Sequence, residues 1–335
     1  MATTRWVRIS EALKRLGYDV DMIADASGDV LPYAPAVRCV SWSEFDWRRY
    51  DIIKTLFHRG FDALCDVGGH KHPLIISNLG SVVGDRDGIE GVHFFGKERE
   101  ALYETQKRIH GHSRFVTVLT QPSLSLWESC FRGKTPPSLV PTGVDEVIPP
   151  PSENPYRGLS ERIAVYIGNI YTDTQRDVNL MWQARLQRLG GLLKKKRIRL
   201  CFVGPGMVDR LAAGCVTCFG PVPNYRIWDY QYFAGAGIVL AQGPVQHNES
   251  SKIYYYLRAG LPVVSERPVP NNHLLEDAGL GLISAYGDDH EMADLVEEAV
   301  ERNWDKKTAV QCLLRNHTWE RRAEVYARLI GEVSG

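Results

Sequence analysis

Residues 247–265, His-Asn-Glu-Ser-Ser-Lys-Ile-Tyr-Tyr-Tyr-Leu-Arg-Ala-Gly-Leu-Pro-Val-Val-Ser, constrain the fold of this chain more than any other stretch. Ser250 and Ser251 stand where a helix would begin, and the backbone N–H groups at such a start lack intrahelical partners and favour an anion. Lys252 adds a positive charge one step into the first turn. Ile253, Tyr256 and Leu257 recur at i, i+3 and i+4, which predicts an apolar helix face. Gly260 predicts a left-handed stop, Pro262 bars the helix from resuming, and Val263-Val264 opens a short buried strand. The stretch reads as one αβ unit whose helix start can hold a phosphate. The spacing alone fits equally well an ordinary αβ unit with Lys252 solvated and the tyrosines in a core.

Composition narrows the class. Lys plus Arg and Asp plus Glu both number 40 in 335 residues, so no basic excess marks a nucleic-acid binder. No apolar run reaches the length of a membrane span, and the N-terminus lacks a signal-peptide pattern. Seven scattered cysteines, an odd number, read as a reducing cytoplasm. Cys215 and Cys218 form a lone CxxC, which reads as strand structure and not as a zinc or redox site. The length predicts two domains, and Pro149-Pro150-Pro151-Ser152-Glu153-Asn154-Pro155 reads as the stiff linker between them.

The phrase Ser-Ser-Lys-Ile-Tyr-Tyr-Tyr-Leu-Arg-Ala-Gly-Leu-Pro-Val-Val resembles the donor-site helix of the group 1 (family 4) glycosyltransferases. The resemblance extends over the chain, more strongly from Ile163 to Ile330. It implies an α/β fold of GT-B type, two Rossmann-like domains with a cleft between them. Residues 1–150 would form the acceptor-side domain, 151–318 the donor-binding domain, and 319–335 a terminal helix crossing back to the first.

The N-terminal half begins unusually. Trp6, Ile9, Leu13 and Leu16 predict a helix that starts almost at once, ending at Gly17, with a strand over residues 20–24. In a doubly wound sheet the first helix follows a central strand and a glycine-rich turn. The expectation is that the first strand and its loop are missing here. Further strands are predicted over 50–56, 74–78, 115–120 and 139–145, and helices over 98–110 and from Pro122-Ser123. Ligands of open α/β sheets gather at the carboxyl ends of strands, which makes Ser77, Asn78, Ser81 and Asp85 acceptor-side candidates, although turn chemistry explains each one singly. His70 and His72, and His110 and His112, read as solvated histidines and not as metal ligands.

The second half restarts the pattern. Strands are predicted over 163–169, 198–206, 216–219 and 237–241, and helices over 178–193, 228–233 and 292–303. Lys194-Lys195-Lys196-Arg197 reads as a solvated helix end, with peripheral membrane contact as the sharper alternative.

The resemblance assigns donor-side roles. Gly220 and Val222 match the turn that meets the nucleotide base, and Ser250, Ser251 and Lys252 match the segment that meets the diphosphate and sugar. Gly168, Asn169, Arg176 and Gly204 lie in turns on the same side. Two glutamates eight positions apart are common in the family; His247 and Tyr255 occupy those positions, with Glu249 close but out of register. Asn169 stands where Arg is common, and Gln175-Arg176 where Lys is common. The expected function is transfer of a sugar from a nucleoside-diphosphate donor to a glycan, lipid or small-molecule acceptor, with Lys252, Glu249 and His247 as catalytic candidates and no metal or cofactor required. A non-catalytic nucleotide- or glycan-binding relative is the alternative, and a nucleotide-sugar epimerase a further one.

Overall fold

The computed structural model describes residues 2–23, 37–86, 96–132, 136–170, 176–206, 211 and 215–334. The chain forms two compact units, passing from the first to the second after Asp145 and returning at Asn316.

In chain order, the first unit contains α1 (Ala2–Arg15), β1 (Asp21–Ile23), β2 (Arg38–Val40), β3 (Ile53–Leu56), α2 (Phe57–Asp66), β4 (Ile75–Asn78), α3 (Gly96–His112), β5 (Phe115–Val118), α4 (Gln121–Cys130) and β6 (Ser138–Leu139). The second contains β7 (Arg162–Ile167), α5 (Arg176–Lys195), β8 (Ile198–Val203), β9 (Val216–Cys218), α6 (Ile227–Tyr232), β10 (Ala236–Val239), α7 (Ser251–Arg258), β11 (Val263–Glu266), α8 (His273–Ala278), β12 (Gly281–Ser284), α9 (Asp289–Glu301) and α10 (Lys306–Asn316). The final helix, α11 (Trp319–Ser334), belongs to the first unit.

In the first unit β3-β4-β5-β6 form a parallel sheet, and β1 and β2 pair in parallel as a separate one. No described strand joins the two. Alternation along the strands divides the core. Leu74, Ile76, Phe115 and Val140 meet Ile9 and Leu13 of α1 and Trp319, Ala323 and Tyr326 of α11. Ile53, Ile75, Val116 and Val118 face the other way, toward Phe61 and Leu64 of α2, Ile109 of α3 and Trp127 of α4. Thr120 caps α4 by accepting the Ser123 N–H at 3.2 Å.

The second unit has one parallel sheet in the order β12-β11-β10-β7-β8-β9. Its strands are apolar runs because both faces are covered. Tyr166, Phe202, Ile238 and Val264 pack against Trp182, Leu186 and Leu189 of α5 and Met292 and Val296 of α9. The order also locates a topological switch: β8 and β9 extend the sheet to one side of β7, and β10 to β12 to the other.

Several expectations are corrected. His72 is not solvated but buried, 6% exposed, with Nε2 bonded to the Tyr50 carbonyl at 2.7 Å and Nδ1 accepting the Leu74 N–H at 3.1 Å. The proline-rich linker is not a free spacer, since the Ser152 N–H and hydroxyl donate to Asp229 at 2.8 and 2.7 Å. The basic run at the end of α5 is partly neutralised, because Lys196 pairs with Asp294 at 2.7 Å and Glu297 at 2.6 Å. The strands β2 and β12 and the helix α10 had no prior expectation. No disulfide joins the seven cysteines, and no described helix is long and apolar enough to cross a membrane.

A buried ion cluster ties the second unit together. Glu266, at the end of β11, is 0% exposed and pairs with Arg185 of α5 at 2.7 Å. It also accepts the Ala241 N–H at 2.7 Å and the Gly287 N–H at 2.8 Å. Arg185 reaches on to Asp289 of α9 at 2.6 Å. Removing one member of such a network strands the others in a low dielectric. Glu266→Ala is expected to cost about 3–5 kcal/mol in urea unfolding, and Glu266→Gln, which keeps an acceptor for the two N–H groups, distinctly less.

Candidate functional site

The carboxyl ends of β7, β8 and β9 carry three neighbouring turns. The Gly168 N–H donates to Val203 at 3.0 Å, the Ile170 N–H to Pro205 at 3.1 Å, and the Gly204 N–H to Gly220 at 2.9 Å. The turns approach so closely that only glycine fits. A β-carbon at Gly204, whose φ is +148°, would lie 1.8 Å from the Gly168 carbonyl oxygen.

On the other side of the switch, the chain leaves β10 into the loop that ends at α7. Two buried side-chain amides shape this loop. Gln246 accepts the Gln242 N–H at 2.8 Å and donates to the Asn248 carbonyl at 2.6 Å. Asn271, 2% exposed, accepts the Ser250 N–H at 2.8 Å and donates to the Ser250 carbonyl at 2.9 Å. Ser250 is thereby held extended at the N-cap, and it makes no side-chain cap bond. The Tyr254 hydroxyl donates to Glu249 at 3.1 Å. At the far end of α7, Gly260 takes the expected left-handed conformation, φ +68°.

Lys252 bridges the two sides. Its stem lies against Gly168, where a β-carbon would come within 2.9 Å of the Lys252 Cε. Its ammonium sits 4.9 Å from the centre of the Tyr166 ring and 6.0 Å from that of Trp182. No carboxylate among the described residues pairs with it, and burial alone pushes its pKa down to about 8. The result is a cation, largely protonated at neutral pH, whose compensation among the described residues is two aromatic faces. It stands in the first turn of a helix and outside the carboxyl ends of parallel strands at their switch point, where open α/β sheets hold ligands.

The structure therefore brings Gly168, Asn169, Gly204, Gly220, Ser250, Ser251 and Lys252 to one edge of one sheet. His247 and Glu249 lie in the same loop, and burial lowers the His247 pKa, which keeps the ring neutral near pH 7. Tyr255 sits one turn into α7, edge-on to Trp228 with centroids 6.1 Å apart. Val222 follows the Gly220 turn and is partly exposed. Arg176 is the first residue of α5, but its side chain, and Gln175 altogether, lie outside the described residues. Of the candidates in the first unit, Ser77 and Asn78 point to opposite faces of β4. Ser77 joins Thr55 and Ser113 at 2.8 and 2.7 Å, while Asn78 donates to Thr117 at 2.8 Å. Ser81 is partly exposed and Asp85 exposed in the chain that follows. Sequence reading missed Gln246, Asn271, Tyr166 and Trp182. The amides and aromatics carry no local pattern that distinguishes them from loop and core residues.

Comparison with solved structures settles the architecture. Sucrose-phosphate synthase from Thermosynechococcus elongatus superposes with a TM-score of 0.73 at 15% identity, covering 97% of this chain and 92% of that one. HepE of Anabaena in complex with UDP-glucose does so with a TM-score of 0.72 at 11% identity, covering 98% and 96%. WaaG, a glycosyltransferase of lipopolysaccharide biosynthesis, gives 0.59 at 15% identity, covering 97% and 90%. The fold is GT-B. No protein-family model matches the sequence, and neither does any curated protein.

The GT-B site gives Lys252 a pH signature. Its pKa is about 8 when folded against 10.5 for the ordinary group, so between those values the unfolded chain binds more protons. Stability should rise with pH across that window, by up to roughly 3 kcal/mol, with the full penalty present below it. Urea unfolding at a series of pH values should show this rise in the native chain and a rise smaller by about that amount in Lys252→Met, where Lys54, pushed down to about 7, still adds its own.

Proposed function

We propose that the chain is a glycosyltransferase that moves a sugar from a nucleoside diphosphate to an acceptor hydroxyl. The observation that carries this reading is the uncompensated Lys252 ammonium at the start of α7, on the switch-point edge of a GT-B sheet. Support comes from solved neighbours of the same fold that hold UDP and UDP-glucose.

The chemistry suits the residues. As the bond from the sugar C1 to the diphosphate oxygen breaks, the departing nucleoside diphosphate gains negative charge. A fixed ammonium and oriented helix N–H groups stabilise that charge more in the transition state than in the ground state. The acceptor oxygen forms the new bond to C1 and gives up its proton; His247, held neutral by its surroundings, is the candidate base in this loop. The Gly168, Gly204 and Gly220 turns let the backbone approach the nucleotide closely. Tyr255 and Trp228 offer aromatic surface and a hydroxyl to the ribose and base.

Two measurements test the reading. A nucleoside diphosphate present at about a hundred times its dissociation constant should add roughly 2.7 kcal/mol to the folded state, for one base above the others. With the matching sugar nucleotide, release of the nucleoside diphosphate should be detectable, and Lys252→Ala should lower kcat by about 10²–10³. Tight nucleotide binding without hydrolysis or transfer of any sugar nucleotide would favour a non-catalytic binder, which the replacement of the two family glutamates by His247 and Tyr255 would explain.

A further inference from the structure

Two further cations without a carboxylate partner among the described residues lie in the first unit. Arg5, in the first turns of α1, is 5% exposed. Its guanidinium donates to the Val140 carbonyl and to the Thr142 hydroxyl, while its Nε is buried with no partner. Lys54, on β3, places its ammonium 4.9 Å from the centre of the Tyr326 ring of α11 and 5.9 Å from that of Trp6 of α1. Burial and the neighbouring Arg5 charge push the Lys54 pKa down to about 7. No carboxylate among the described residues pairs with either side chain. The first turn of α1 contains no acidic residue, and Asp145 is held by Arg8 at 2.9 Å.

A buried acceptor accompanies them. Asn78, on the neighbouring strand, is 0% exposed. Its Nδ2 donates to Thr117 Oγ1 at 2.8 Å, and that oxygen lies 3.2 Å from the Tyr326 hydroxyl. Its Oδ1 is buried with no partner. The β3–β4 register sets Lys54 beside Ile76 and Leu56 beside Asn78. Lys54 and Asn78 therefore share a face and stand about 7 Å apart along the strands, close to the span of a sugar ring.

Two unneutralised cations and an unfilled buried acceptor are each costly away from water, and together they describe what would relieve them. An oxyanion satisfies Arg5 and Lys54. A hydroxyl on the same molecule satisfies Asn78 Oδ1. We propose that Arg5, Lys54 and Asn78, with Thr117 and Tyr326, form a second anion site that takes the phosphate or carboxylate of a hydroxyl-bearing molecule. Taken with the glycosyl-transfer reading, on which this one step rests, the site makes the acceptor an anionic sugar or polyol.

Calorimetric titration of the full chain carrying Lys252→Met, which disables the donor site, tests this directly. Glucose 6-phosphate, glucuronate, inorganic phosphate and glucose are titrated in turn. At least one of the two anionic sugars should bind tenfold or more tightly than glucose, and whichever does so identifies the phosphate or the carboxylate as the source. Inorganic phosphate, which lacks the sugar hydroxyls, should bind more weakly than glucose 6-phosphate. Adding Lys54→Met should weaken the tighter sugar at least tenfold; because it deletes an unpaired buried charge, it should not lower the unfolding temperature. Arg5→Gln is the second variant and should weaken binding in the same sense. Equal affinity for glucose and both anionic sugars, or binding that neither variant changes, overturns the proposal. Titration of the native chain with UDP reports on the donor site separately, so either reading can fail while the other stands.

Discussion

The Glu266 carboxylate is the constraint from which the switch-point edge of the second unit follows. It sits at the carboxyl end of β11, fully buried, and binds three elements that are far apart in sequence: Arg185 on α5, the Ala241 N–H after β10, and the Gly287 N–H before α9. A carboxylate in that environment is tolerated only because its oxygens are saturated by a cation and by oriented N–H groups. The requirement works in reverse as well. The Ala241 backbone must stay where it satisfies the carboxylate, which fixes the exit of the chain from β10. Gln246 and Asn271 then carry that placement residue by residue to Ser250 and the first turn of α7. The position of Lys252 is inherited from a buried ion pair on the opposite side of the loop.

Arg185 and Lys252 show two ways of keeping a cation inside one unit. Arg185 is surrounded by Glu266 and Asp289, so its charge is closed within the protein and contributes architecture. Lys252 has only the faces of Tyr166 and Trp182, which recover a fraction of the cost of desolvation. Its lowered pKa is the measure of what remains. A lysine of this kind lowers the stability of the empty protein and raises the affinity for an anion by a related amount, because the ligand supplies the counter-charge the fold withholds. Lys54 and Arg5 repeat the pattern in the first unit at the start of α1.

Local pattern carried much of this into view. The 3.6-residue spacing of Ile253, Tyr256 and Leu257, the Gly260 stop and the Val263-Val264 run predict α7 and β11 almost to the residue. The periodicity of Trp6, Ile9 and Leu13 does the same for α1. What stayed hidden depends on contacts between distant residues. Glu266 reads only as a charge closing an apolar strand, and its partners lie 81, 25 and 21 positions away. Asn271 and Gln246 read as loop chemistry, although both are buried pins. His72 reads as a surface histidine, and it is buried because Tyr50 and Leu74 offer it a carbonyl and an N–H. The short β12 had no expectation, since four residues of mixed burial give no clear period.

The substitutions at 247 and 255 acquire a physical meaning in this setting. Positions 252 and 255 lie three apart on α7, the spacing at which opposite charges pair on a helix. A glutamate at 255 would stand within reach of Lys252 and would compete with a diphosphate for its ammonium. Tyr255 brings no carboxylate, turns its ring toward Trp228, and leaves the Lys252 charge uncompensated. Likewise, a carboxylate at 247 would raise the anionic charge of the loop, whereas a neutral histidine does not. On the proposed reading, His247 and Tyr255 shift the site in one direction, toward a stronger electrostatic hold on a diphosphate and a weaker carboxylate hold on ribose and sugar. Selection among donors would then fall to the aromatic pair and to the glycine turns that admit the base.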